Sequence, residues 1–295
     1  PTPEGERDGY VFTPVNTVVN AFHYRSLVLI GRIANVLGRV QEAERFFKRA
    51  EMVKIAFNKQ FLNRTTGIYV DGIGTEHSSL HANMFPLAFG LVPDNNLSRV
   101  VAFIKSRGMA CSVYGAQYLL EALFAAGETE YALQLMTSES KRSWMNMIRA
   151  GSTMTTEAWD EYFKPNLTWN HAWGSAPANI IARKLMGIEP LKPAYRTIRV
   201  KPQLGNLRYA HIKKPTIRGM VEVTWQRDED DFILIVHIPA NTEAEIWIPS
   251  APQSVIAESG TDIYQAKDIE IVDKKDKFTI CRTGAGEYHF TGKMF

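Results

Sequence analysis

A helical domain followed by a smaller antiparallel β-sandwich is the fold class that the sequence predicts, and three observations predict it. Apolar residues recur at three- and four-residue spacing in segment after segment up to Gly187, with no strand pattern between them. From Tyr195 the character changes to short runs rich in β-branched and aromatic residues, RTIRVKP, MVEVTWQ, FILIVHIP, AEIWIP, DIEIVD, FTICR and EYHF, separated by Gly, Pro, Asn and Asp. The 295 residues are 45% hydrophobic and 22% charged. That is a globular composition with room for both domains, and it excludes disorder and coiled coil as the main theme. The boundary is expected near 188 to 195, giving a helical domain over 1–190 and a β domain over 191–295.

Taken in order, the first helix is predicted to open at Thr13 with Pro14 in its first turn. Val15, Val18, Val19, Phe22, Leu29, Ile33 and Leu37 then recur until Gly38. A second, over 41–62, places Ala43, Phe46, Phe47, Ala50, Phe57 and Phe61 on one face and completes a helical hairpin. The glycine-rich NRTTGIYVDGIGTEH that follows brings Asp71, Glu76 and His77, with His81 close behind, to the start of a helix over 79–91. Two readings stand there: a tight turn with a cap by Ser78 or Ser79, or a ligand-contacting loop. Pro86 within that helix predicts a kink or a late start. Further helices are predicted over 95–106, 112–126, 130–136, 143–150 and 176–186, the last stopped by Gly187 with Pro190 beyond. Trp225 and Trp247, at alternating positions of predicted strands, are assigned to packing.

The formal charge is +3, with no Lys or Arg run longer than a pair, so neither a nucleic acid nor an anionic membrane is an expected partner. No apolar run approaches the length of a membrane span, and the start, PTPEGERDGY, has neither the basic nor the apolar region of a signal peptide. That start also lacks a methionine, so a fragment or a processed chain is expected and the compartment stays open. Cys111 and Cys281 are far apart and are expected to be reduced and unpaired; no metal-ligand spacing is present, and no cofactor is expected.

The densest concentration of acids, imidazoles and indoles runs from Gly151 to Pro190, GSTMTTEAWDEYFKPNLTWNHAWGSAPANIIARKLMGIEP. Four of the six tryptophans, Trp144, Trp159, Trp169 and Trp173, fall in it or just before it. Between Gly151 and the last helix no period is visible and Pro165 interrupts the chain, so a long loop is predicted. Aromatics in such a loop either plug the end of a helical bundle or stack on sugar rings while Glu157 and His171 bond the hydroxyls. Asp160 and Glu161 read as solvated loop carboxylates.

The segments TTEAW, NHAWGSAPANII and LMGIEP, followed by RTIRVKPQLGNL and a small β domain, resemble the bacterial α-L-rhamnosidases of glycoside hydrolase family 78. Upstream, RDGYVF, NTVVNAFHY, SSLHANMFPLAFGLVP and CSVYGAQYLLEAL are similar to later helices of that family's catalytic barrel. The resemblance implies the C-terminal portion of an (α/α)6 barrel followed by a β-sandwich. It also implies release of terminal α-L-rhamnose from a glycoside or polysaccharide with inversion at the anomeric carbon. Glu157, two residues before Trp159, falls on the family's general base, and His171 of the Asn170–His171 pair on its sugar-contacting histidine. Trp159, Trp173 and Asn170 are then expected around the sugar, with His81 and Asp71 lining the same cleft. An inverting hydrolase needs a base to deprotonate a water on one side of the ring and an acid to protonate the leaving oxygen on the other, about 6.5–9.5 Å away. Such a base works ionised, so donors are expected beside Glu157, with Thr155, Thr156 or a protonated His171 as candidates.

The family's general acid belongs to an acidic, arginine-containing motif that no segment before Gly151 matches, and eight predicted helices replace twelve. The chain is therefore expected to be the C-terminal part of a longer enzyme, nearly inactive alone, with uncovered helix faces that favour self-association. Two other readings stay open: another α/α-barrel sugar enzyme, such as a disaccharide phosphorylase or a fucosidase, and a non-catalytic carbohydrate-binding module.

Overall fold

Helix α1 (Thr17–Val36) opens where the Asn16 side chain accepts the Val19 amide at 3.0 Å. The computed structural model to which it belongs describes residues 6–251, 253–275 and 277–294. The start is Thr17 rather than Thr13, because Thr13 turns the chain by donating its hydroxyl to the Val15 carbonyl at 2.9 Å, and Asn16 then forms an isolated bridge with Gly72. α1 and α2 (Val40–Phe61) form the expected hairpin, α1 burying Ala21, Leu27, Gly31 and Ala34 and α2 burying Ala43, Ala50, Phe57 and Phe61. Gly31 sets their spacing: a Cβ there would lie 2.7 Å from the Phe47 ring. The other faces of both helices are apolar yet open, with Val19, Ile33, Val36, Met52 and Ile55 each about 60% exposed.

Helix α3 (Leu80–Phe89) is capped by Ser79, whose hydroxyl accepts the Ala82 amide at 3.2 Å, and runs through Pro86 to a left-handed Gly90. α4 (Leu97–Arg107), α5 (Val113–Ala125), α6 (Thr129–Met136) and α7 (Trp144–Arg149) follow. Ser112 and Ser143 cap α5 and α7 in the same way, through the amides of Gly115 and Asn146. Helix α8 (Ala176–Ile180) continues into a π-helical turn over Ile181–Leu185. No helix among the described residues is long and apolar enough to cross a membrane.

The chain divides into two compact units, residues 1–176 and 177–295. The second is built from β1 (Ile188–Pro190), β2 (Thr197–Val200), β3 (Tyr209–Thr216), β4 (Gly219–Asp228), β5 (Asp231–Ile238), β6 (Glu243–Pro249), β7 (Ala257–Glu258), β8 (Thr261–Asp262), β9 (Ile269–Lys275), β10 (Phe278–Thr283) and β11 (Gly286–Lys293). Five strands form one sheet in the order β1-β2-β6-β10-β9, and six form the other, β3-β4-β5-β11-β7-β8. Inward residues alternate along each strand, so Ile198, Val200, Ile246 and Ile248 of one sheet share a core with Val221, Val223, Trp225, Leu234, Val236 and Phe290 of the other. Each such buried aliphatic side chain contributes about 1.5–3 kcal/mol relative to exposure. The pairing is antiparallel except for β2 and β6, which run parallel with Val200 opposite Ile246. Gly187 enters this unit with φ 71°, and a Cβ on it would lie 2.0 Å from the Lys201 carbonyl, so no side chain fits there.

Candidate active site

The loop after α7 is irregular but tightly tied. Gly151, at φ 89°, ends the helix, and the Asn146 side chain donates both to the Trp159 carbonyl at 3.2 Å and to Asp160 Oδ2 at 2.8 Å. The loop then doubles back on itself: the Glu157 amide donates to the Thr168 carbonyl at 2.9 Å, and the His171 amide to the Thr155 carbonyl at 2.7 Å. Gly174 closes the fold, since a Cβ there would lie 2.8 Å from Thr155 Cβ, and its carbonyl accepts the Trp144 indole N–H at 2.7 Å.

Doubling back fixes Glu157. One carboxylate oxygen accepts the Thr168 amide at 3.0 Å and the Thr168 hydroxyl at 3.1 Å, and the other takes the Lys164 ammonium. The Lys164 bond, with the Thr168 amide next, holds the Glu157 carboxyl well below the usual range, at about 2. Glu157 is thus ionised at neutral pH, but the donors are not those expected. The Thr155 hydroxyl donates to the His171 carbonyl at 2.8 Å, and the Thr156 hydroxyl to the Ala158 carbonyl at 2.6 Å.

Trp159 has no face to offer a sugar. It is 0% exposed, its N–H donates to the Cys111 carbonyl at 2.7 Å, and its ring meets Trp144 edge-on at 5.0 Å. Here it fastens the loop to the residues just before α5. Trp173 is open, 44% exposed, and His171 beside it is half-buried: their rings lie 4.1 Å apart, tilted by 35°. Trp173 next meets Tyr114 at 5.4 Å, and Tyr114 meets Tyr118 at 5.8 Å. Asn170 is exposed on the same loop segment. Trp169, also half-open, lines a hollow of about 260 Å³ with Trp159, Asp160 and Tyr162. A second hollow, about 290 Å³, is lined by Met109, Arg142, Tyr162 and Phe163; neither takes in Glu157.

Asp71 and His81 lie across the same unit. Asp71 is completely buried, and both carboxylate oxygens are taken: Oδ2 by the Val11 amide at 2.8 Å and His77 Nδ1 at 2.6 Å, Oδ1 by the Ser79 amide at 2.9 Å. Engaged in this way it ties the chain ahead of α1 to the start of α3 and presents no free oxygen to a ligand. His81 does point among aromatic rings, Tyr10 at 6.3 Å and Phe85 at 6.2 Å. Its Nδ1 is buried without a partner, and burial pushes its pKa down to about 4, so the ring is neutral. Phe85 meets Tyr118 at 5.1 Å, so an unbroken row of rings leads from His81 to Trp173 and His171. Glu76 sits at the surface, near the Asn63 amide at 3.4 Å.

Two acidic residues near the start of the described chain are new to this picture. Asp8 is buried, accepts the Leu80 amide at 2.6 Å and pairs with Arg107, whose Nε lies 2.9 Å from Oδ2. Glu6 stands against the Trp159 amide at 3.5 Å; burial raises its pKa, and the neighbouring Asp160 and Glu157 charges add to that. Nothing in the spacing of EGERDGY could reveal either, because their partners Leu80, Arg107 and Trp159 stand 72 to 153 residues along the chain. A wide hollow of about 890 Å³ belongs to the β unit, lined by Asp231, Phe232, Val255 and Lys293 among others. It contains none of the residues above.

Comparison with known proteins places this geometry in context. Residues 1–185 match the model of the bacterial α-L-rhamnosidase six-hairpin glycosidase domain, and residues 187–262 that of the bacterial α-L-rhamnosidase C-terminal domain. An α-L-rhamnosidase of Alteromonas sp. (strain LOR) is 27% identical over 87% of this chain and 29% of its own length, and one of Streptomyces avermitilis 28% identical over 95% and 27%. Among solved structures, the α-L-rhamnosidase of Dictyoglumus thermophilum superposes with a TM-score of 0.78 at 25% identity, over 92% of this chain and 31% of that one. That of Streptomyces avermitilis, complexed with L-rhamnose, gives 0.74 at 25% identity, over 92% and 26%. The chain spans less than a third of the length of these relatives.

Proposed function

The chain belongs to the bacterial α-L-rhamnosidase six-hairpin glycosidase family, and on that premise we propose that it carries the general-base side of an inverting α-L-rhamnosidase site. Glu157 is the base. The observation that carries the reading is a carboxylate held ionised by Thr168 and Lys164 on the loop that also presents the exposed Trp173 ring with the half-buried His171 against it. An ionised carboxylate can take a proton from water, and a tilted imidazole–indole pair offers a flat apolar face with one polar edge to a deoxyhexose. Asn170 and the neutral His81, at either end of the row of rings, are the polar groups we assign to the hydroxyls. Trp159 serves the site by holding its loop, and Asp71 by holding the start of α3.

We place the general acid outside this chain's matched motifs, so the chain alone turns over slowly. Glu157→Gln in the enzyme that includes the rest of the barrel is the test. Loss of roughly 10²–10⁴ in the hydrolysis of an aryl α-L-rhamnoside is expected, with L-rhamnose binding retained. Unchanged turnover would remove Glu157 from the chemistry. The configuration of the first-formed sugar, followed by NMR, decides inversion against retention. Dependence of turnover on phosphate would favour a phosphorylase.

A further inference from the structure

The outward face of the five-stranded sheet carries an excess of positive charge on an aromatic floor. Trp247 points outward because its neighbours Ile246 and Ile248 are buried in the core. Register places Val200 beside Ile246, so Lys201, the next residue, reaches Trp247, and its Nζ lies 4.3 Å from the indole centroid and 5.2 Å from that of Phe278. Lys275, at the end of β9, brings a second ammonium to 5.2 Å from the same indole. Two like charges over one ring repel, although each is attracted to the ring face.

Counter-charge is short. Glu189 is shared by Lys184 at 2.8 Å, Arg183 at 3.4 Å and Arg199, and Glu245, which keeps its charge while accepting the Trp247 N–H at 2.7 Å, forms no ion pair with Lys201 or Lys275. Asp273 stands 3.6 Å from Lys275, an exposed pair worth little. Among the described residues Lys201 has no carboxylate within ion-pair distance. Its pKa is lowered by partial burial first and then by the charges of Arg199 and Lys275. An anion between the two ammonium groups would remove the repulsion and supply the missing partner.

We propose that this face binds an anionic group of a saccharide, a carboxylate or a sulfate ester, at Lys201 and Lys275, beside the rings of Trp247 and Phe278. That the carrier is a saccharide rests on the glycosidase reading; the anion site rests on the charges alone. The site gives the β unit a task of its own, holding acidic stretches of a polysaccharide.

Calorimetric titration of the full chain with three probes tests it: a glucuronate disaccharide, a sulfated hexose disaccharide and a neutral rhamnose disaccharide. One or both acidic probes bind, the neutral one does not, and binding weakens as salt is raised from about 0.05 to about 0.5 M. Which acidic probe binds names the group. The Lys201→Met, Lys275→Met double variant binds at least about tenfold more weakly with an unchanged thermal midpoint, while the double Arg variant, which keeps the charges, stays within about threefold of the parent. Equal binding of the neutral disaccharide, wild-type affinity in the Met variant, or no binding of either acidic probe would overturn the proposal. None of these outcomes touches rhamnoside hydrolysis, so the two readings fail separately.

Discussion

Replacing Lys164 by Met tests the electrostatics of the loop at its source. Lys164 supplies the largest part of the downward shift that holds Glu157 at about 2, and the two bonds from Thr168 supply the rest. Without the ammonium, Glu157 keeps the Thr168 donors, so its pKa should climb yet stay below the ordinary 4.5. A carboxyl-carbon NMR titration of the chain reads this directly, with Glu157→Gln identifying the resonance. Stability gives a second readout. A carboxyl whose pKa is depressed on folding stabilises the fold above its unfolded pKa and loses that contribution as pH falls through the folded value, here between about 4.5 and about 2. Wild type and Lys164→Met should therefore differ most near neutral pH and converge toward pH 2 in denaturant unfolding. A Glu157 midpoint above 4.5 in the wild type, or a midpoint unmoved by the substitution, refutes the assignment.

Three other outcomes follow from the same contacts. Asp71→Ala strips partners from the amides of Val11 and Ser79 and from His77, and should destabilise the helical unit by about 1–3 kcal/mol in chemical unfolding, because the buried Ser79 amide is left unpaired while Val11 and His77 can turn to water. Trp173→Ala removes an exposed ring, so the thermal midpoint should hold while L-rhamnose binding to the whole enzyme weakens about tenfold. The open apolar faces of α1 and α2 should make the chain associate at micromolar concentration in sedimentation, and Ile33→Lys with Ile55→Lys should shift it toward monomer.

Periodicity revealed the helices because each buries one stripe, and the strand alternation of β4 to β6 because each covers one core face. What escaped was tertiary. The first helix begins at Thr17, behind the Asn16 cap that meets Gly72, whereas the Thr13–Pro14 pair carries the local start signal. The parallel pairing of β2 with β6 joins segments over forty residues apart, with the β3–β5 meander of the other sheet between them. Trp159 and Asp71 read as ligand residues because loop aromatics and loop acids often are; their burial depends on Cys111 and on Val11, which no local pattern links to them. Glu157 was reached by resemblance. Its lysine, seven residues on in an aperiodic loop, was invisible.

If Glu157 is the base, as proposed, that lysine bears directly on its chemistry. A carboxylate with a pKa of about 2 is ionised at every working pH but accepts protons reluctantly, and general bases act best with a pKa nearer ambient pH. On the reading proposed above, in which Glu157 is the base, its basicity would rise if Lys164 let go. The lysine side chain is 40% exposed against 16% for Glu157, so water can solvate the ammonium when it is freed. The Thr168 bonds, donated by the folded-back loop itself, would keep the carboxylate aimed while its basicity rises. On that proposed reading, position and basicity have different partners: Thr168, within the folded-back loop, holds the carboxylate in place, and Lys164, 40% exposed, lowers its basicity.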